Sequence, residues 1–184
     1  MRFSIAAGLA LALLWAAPSF AQGVSADEAN SIIRSLAPSA SAPASAESYP
    51  RTAREVVVQN SVVVIDTAHS LDFEVYFPFD SARLMPQAHV DLWALGEALA
   101  SPQLRQHIYL IAGHTDGVGS AAYNLDLSAR RAASVRRFLI DSFAIDPRRL
   151  IAVGFGESQL KAPQAPTAGI NRRVEVALVL SRGD

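Results

Sequence analysis

A repeated change of hydrophobic period between Leu71 and Leu180 restricts the fold of this chain more than any other feature. Leu71, Phe73, Val75 and Phe77 alternate with Asp72, Glu74 and Tyr76, the period expected of a half-buried strand, and Pro78 stops the run. Pro86 then opens a segment in which Ala88, Leu92, Leu95 and Leu99 fall at helical spacing, ending before Pro102. Ile108 to Ala112 reads as an apolar strand running into Gly113-His114-Thr115-Asp116-Gly117. Ala132, Val135, Phe138, Leu139 and Phe143 mark a second helix, with Arg130, Ser134, Arg137 and Asp141 on its wet side. Leu150 to Val153 gives a third strand, closed by Gly154-Phe155-Gly156, and Val174, Val176, Leu178 and Leu180 a final alternating one. Strand, helix, strand, helix, strand, loop, strand predicts an α/β (α+β) sandwich with its helices on one sheet face.

The segment ahead of this core has a different character. Arg2, the apolar stretch from Ile5 to Ala17, Pro18 and the small-x-small pair Ser19 and Ala21 predict a signal peptide over residues 1–21, cleaved to leave Gln22. The apolar run is shorter than the ~20 residues that span a bilayer, so no transmembrane segment is expected in the mature chain. Residues 22–54 read as a flexible linker rich in Ala, Ser and Pro, which cannot bury enough apolar surface to offset ordering. Within it, Ala26 to Leu36 has the apolar stripe of a short helix, expected to be transient and partnerless, with a docking helix as the alternative. The β-branched runs Val56 to Val58 and Val62 to Ile65 predict an extra strand or a hairpin within residues 55–70.

No cysteine occurs, so an exported chain has no disulfides and no N-terminal cysteine to carry lipid. With 16 basic against 17 acidic residues the charge balance argues against a nucleic-acid binder. Lys161 is the only lysine, and arginine suits directional pairing with carboxylates.

Polar residues collect where the chain leaves its strands. Thr115 and Asp116 stand between Gly113 and Gly117, and Asn124-Leu125-Asp126-Leu127-Ser128-Ala129-Arg130-Arg131 leads into the second long helix. Asp116 and Arg131 form the minimal device for a zwitterion, one taking an ammonium and the other a carboxylate. Spacing sets a condition. An unbroken helix from Ser120 would put Arg131 ~16 Å along its axis, at about 1.5 Å per residue. Convergence on one ligand is therefore expected only if the helix starts later, capped by Asn124 or Ser128. A structural salt bridge orienting a loop is the alternative reading of the pair.

Gly113-His114-Thr115-Asp116, Gly119-Ser120, Tyr123-Asn124, Leu127-Ser128, Arg130-Arg131-Ala132 and Val135 resemble the signature of the OmpA C-terminal domain family. So do Phe77-Pro78-Phe79-Asp80-Ser81-Ala82, Gly154-Phe155-Gly156-Glu157 and Asn171-Arg172-Arg173-Val174-Glu175, over roughly residues 71–181. The resemblance implies an OmpA-like β-α-β-α-β-β domain over residues 71–184, with helices on one face of a mixed sheet. It also implies non-covalent binding of peptidoglycan through the meso-diaminopimelate of its stem peptide. The family's aspartate falls on Asp116 and its second arginine on Arg131; supporting contacts fall on Asp80, Thr115, Asn124, Leu127 and Arg172. Of Arg172 and Arg173, one is expected to face the site and the other solvent. The loop from Ser158 to Ile170 departs from the family pattern, lacking its proline where Gln159 and Leu160 stand.

His114 beside Asp116 has no second ligand at metal spacing and reads as structural, so neither a metal nor a cofactor is expected. No serine sits in a Gly-x-Ser-x-Gly elbow, and no enzyme signature is found. The expectation is a periplasmic wall-binding protein, peripheral to the outer membrane and without a barrel or lipid anchor of its own. Either residues 22–66 meet an outer-membrane or envelope partner, or the protein simply decorates the wall. The alternative function is an envelope protein–protein interaction module without wall binding.

Overall fold

Among the described residues, eight segments form α-helices and β-strands. In order they are α1 (Ala26–Leu36), β1 (Ala53–Val58), β2 (Ser61–Phe73), α2 (Pro86–Ala100), β3 (Tyr109–His114), α3 (Ala121–Phe143), β4 (Leu150–Gly156) and β5 (Val174–Arg182). The computed structural model describes residues 26–38 and 49–183; the signal peptide expected over residues 1–21 and most of the Ala/Ser/Pro-rich stretch lie outside the described residues. One five-stranded sheet runs in the order β1-β2-β5-β3-β4. Only β3 and β4 pair in parallel, joined by α3 as the crossover; every other neighbour is antiparallel.

Alternation along β3 and β5 serves two cores at once. Tyr109, Ile111, Val174, Val176 and Leu178 pack under Leu92, Leu95 and Leu99 of α2 and Val135 and Leu139 of α3. On the opposite face Leu110, Ala112 and Ala177 pack with Val56, Val63 and Ile65 of the first two strands. That second face needs no helix, because the sheet curls over it. Arg54 on β1 lies over the Phe155 ring of β4 at 5.8 Å, although these are opposite edge strands. Across a flat sheet of this width the edges would stand about 19 Å apart.

Bulges in β2 permit the curl: its register against β5 shifts between Val64 and Ile65 and again between Asp66 and Ser70. Buried Asp66 fixes the second bulge. It accepts hydrogen bonds from Thr52 Oγ1 at 2.6 Å and Ala68 N at 3.0 Å, and contacts His69 Nδ1 at 2.7 Å. Burial alone would raise its pKa, but these bonds reverse the effect and lower it.

Three features differ from the sequence expectations or resolve them. Val56 to Val58 and Val62 to Ile65 form a hairpin continuous with the sheet, which therefore starts at Ala53 rather than near Leu71. The alternating run Leu71 to Phe77 leaves the ladder after Phe73, because Phe73 faces Val174, the first residue of β5. Val75 and Phe77 still point into the core without a pairing strand. Finally, α1 is not partnerless. Its Ile32 and Leu36 join the main core against α2 and β2, and the buried Tyr109 hydroxyl donates to Leu36 O at 3.3 Å. Among the described residues no helix is long and apolar enough to cross a membrane.

Candidate functional site

Two glycines set the height of α3 above the sheet. A Cβ on Gly113 would lie 2.2 Å from Ser128 O, and one on Gly154 would lie 2.4 Å from Ala129 N. No larger residue fits either position, so the helix backbone rests directly on the ends of β3 and β4. Ser128 locks the contact: its buried hydroxyl donates to Leu125 O at 2.8 Å and accepts from Gly156 N at 2.9 Å. Asn124, Leu127 and Arg131, at i, i+3 and i+7, consequently share one face beyond the strand ends.

The late-starting helix expected from the spacing is not found. Ser120 is the N-cap, accepting from Tyr123 N at 3.3 Å, and α3 runs unbroken from Ala121. Asp116 and Arg131 nevertheless line one cavity of about 340 Å³. Two features close the gap that axial distance left open. Helical side chains lean toward the N-terminus, so the long Arg131 side chain points back along α3. The loop after β3 also folds over the first turn, where Asn124 Nδ2 donates to Asp116 O at 3.3 Å and Val118 O at 3.1 Å.

All seven residues named from the sequence line this cavity: Asp80, Thr115, Asp116, Asn124, Leu127, Arg131 and Arg172. Asp116 and Arg131 make no ion pair with each other. Asp116 pairs with Arg172 Nη1 at 2.7 Å and accepts from Val118 N at 3.2 Å. Arg131 donates from Nε to Ser81 O at 3.0 Å and lies over the Phe77 ring at 4.9 Å. Burial lowers its pKa, but a guanidinium so placed stays charged at neutral pH. Thr115 is buried, and among the described residues its hydroxyl has no hydrogen-bond partner.

Of the two adjacent arginines, Arg172 faces the site. Arg173 does not face solvent as expected. Its side chain is 11% exposed, held by Asp72 Oδ1 at 3.0 Å and Gln159 O at 3.3 Å. The loop that departs from the family pattern supplies that carbonyl.

The opposite wall is a turn that sequence reasoning left without detail. Asp80 sits at φ 47°, a left-handed conformation unusual for aspartate, and its Oδ1 accepts from Tyr123 Oη at 2.7 Å. Phe77, Phe79 and Tyr123 also line the cavity, and the sequence reading gave them no part in the site. Tyr123 precedes Leu127 by one helical turn, a spacing that could have flagged it.

His114, the neighbour of Thr115, points to the other side of the sheet. It is fully buried, with Nε2 3.3 Å from Glu175 Oε2, while Arg54 Nη2 clasps Glu175 at 2.8 and 3.1 Å. Burial lowers the His114 pKa, with Glu175 opposing. Burial raises the Glu175 pKa, but His114 and Arg54 carry it below its ordinary value. Among the described residues no three His, Cys, Asp or Glu side chains cluster as a metal site would require.

Comparison with known proteins places this geometry. A family model described as the OmpA family matches residues 76–173, which include all seven cavity residues named above. Outer membrane porin F of Pseudomonas aeruginosa is 35% identical over 129 residues, covering 68% of this chain and 36% of that protein. Outer membrane protein A of Bordetella avium is 37% identical over 111 residues, 59% of this chain and 56% of that protein. The chain thus spans about a third of the porin and about half of the Bordetella protein. Among solved structures, the OmpA-like domain of FopA1 from Francisella tularensis superposes with TM-score 0.50 at 19% identity, covering 71% of this chain and 79% of that one. The periplasmic domain of MotB gives TM-score 0.51 at 16% identity over 75% of this chain and 79% of that one. These two show the likeness of fold. The chain belongs to the OmpA family.

Proposed function

We propose that this domain binds peptidoglycan non-covalently in the periplasm, holding the meso-diaminopimelate of the stem peptide, and so contributes to cell-envelope organisation. The observation that carries the reading is that Asp116 and Arg131 line one cavity without pairing to each other. The D-centre of diaminopimelate presents an ammonium and a carboxylate on one carbon. Asp116 would accept from the ammonium, and the guanidinium of Arg131 would donate to the carboxylate. Arg172 already holds one Asp116 oxygen, so it orients the acceptor and adds positive charge on the carboxylate side. The unpaired Thr115 hydroxyl is a further partner for the ligand, since buried polar groups rarely stay unsatisfied. Leu127 supplies an apolar wall. Nothing in this arrangement activates water or a nucleophile, and the reading is of a binder.

A pull-down with purified Gram-negative sacculi tests it. Asp116→Ala and Arg131→Ala should each lower binding at least about tenfold, the scale of a charge-assisted hydrogen bond of about 1.5–3 kcal/mol. Undiminished binding by both variants would overturn the site. The same sacculi should release no more fragments than a buffer control.

A further inference from the structure

The cavity has a second, apolar half that the charged groups do not explain. Phe79 is 99% exposed at its mouth, beside Tyr123 at 39% and Val118 at 60%. A phenyl ring wholly in water contributes nothing to the core, yet the chain holds it there by a strained turn. Asp80, the next residue, is left-handed at φ 47°. The turn is pinned from α3 at two points, by Tyr123 Oη on Asp80 and Arg131 Nε on Ser81 O. Backbone strain that the surroundings over-determine points to use rather than to stability.

Resting on the peptidoglycan reading, we infer that Phe79 and Tyr123 form a stacking subsite for the stem peptide beyond the zwitterion. Its occupants are the backbone and the D-alanyl methyl group next to diaminopimelate. Continuity fixes the occupant. Phe79 lines the same cavity as Asp116 and Arg131, so a ligand seated on the charges runs directly past the ring. The sugar lies two residues further along the stem, beyond a cavity of about 340 Å³. The D-centre is held by charge, and the apolar half meets the uncharged peptide backbone and methyl group beside it.

Isothermal titration with three probes decides this: free meso-diaminopimelate, the tetrapeptide L-alanyl-γ-D-glutamyl-meso-diaminopimelyl-D-alanine, and that tetrapeptide carrying its disaccharide. Wild type should bind the tetrapeptide more tightly than the amino acid. Phe79→Ala should reduce that preference about tenfold, the order expected for uncovering much of one aromatic ring, and Phe79→Trp should retain it. The unfolding midpoint of Phe79→Ala should match wild type, since the ring supports no packing. An unchanged preference in Phe79→Ala overturns the subsite while leaving the charged pocket intact. A loss confined to the sugar-bearing probe also overturns it, assigning the ring to glycan. Wild type that binds none of the probes removes both this inference and the function on which it rests.

Discussion

Asp80 at φ 47° occupies a region that costs an L-residue about 1–2 kcal/mol, less for aspartate than for most. Its side chain offsets part of that cost through the Tyr123 hydroxyl. Backbone and side chain are therefore separable by substitution. Asp80→Gly relieves the strain and should leave the thermal midpoint unchanged or raise it. Asp80→Ala keeps the strain, loses the bond, and should destabilise by about 1 kcal/mol. Both should weaken stem-peptide binding, because the turn over the cavity loses one of its two pins and keeps only Arg131 Nε on Ser81 O. Thermal unfolding and a peptide titration on the three proteins check this; equal stability of the Ala and Gly variants would remove strain from the account. At this scale the sequence showed the charged partners, since Asp116 and Arg131 stand at strand and helix ends in a recognisable pattern. It did not show the Tyr123–Asp80 bond. Two residues 43 positions apart meet only through the fold, and no local signal marks a left-handed aspartate.

The packing of α3 on β3 and β4 carries the site, and it depends on atoms that are absent. Gly154→Ala would drive a methyl group to 2.4 Å from Ala129 N and 2.5 Å from Ser128 Oγ. Backbone cannot yield as a side-chain end can, so the helix must lift. The expected cost is about 1–3 kcal/mol, the range for overpacking a filled interior. Lifting α3 also displaces Asn124, Leu127 and Arg131 together, so sacculus binding should fall although no ligand contact is changed. Urea unfolding and the pull-down measure the two effects; a destabilised variant that binds like wild type would uncouple the helix height from the site. Elements were legible where hydrophobic period was strong, as in α2 and the apolar face of α3. Boundaries were less so. Ser120, Asn124 and Ser128 are all good capping residues, and only the fold decides among them, committing Asn124 to the loop carbonyls and Ser128 to Gly156 N while Ser120 caps. The end of β2 was hidden for a similar reason, since the partner strand β5 sets it.

Curling of the whole sheet creates a buried charge cluster that no single element contains. Arg54 comes from β1, His114 from β3 and Glu175 from β5, with Asp72 and Arg173 acting on the histidine from nearby. Glu175 and His114 both have pKa values below their ordinary ones, and the sign of the effect is the same for each. A carboxylate held low stabilises the fold above its unfolded pKa, and that stability is lost as pH falls through the folded value. A histidine held low favours the neutral native form, while the unfolded chain takes up a proton below about pH 6.5. Stability should therefore start to fall below about pH 6.5 through His114, and fall further below about pH 4.3 as Glu175 is reached. His107, also lowered by burial and by Arg149, adds to the first phase. Comparing urea midpoints at about pH 7.5 and about pH 5.5 for wild type, His107→Gln and His114→Gln separates the two histidines. The loss between these pH values should shrink in each variant, and more in His114→Gln, because His114 is fully buried. A His114→Gln protein that keeps the full wild-type loss would show that this histidine is not the titrating group. The site itself lies across the sheet from this cluster. Acid should then loosen the curl that joins β1 to β4 before it reaches the turns of α3 that carry Asn124, Leu127 and Arg131.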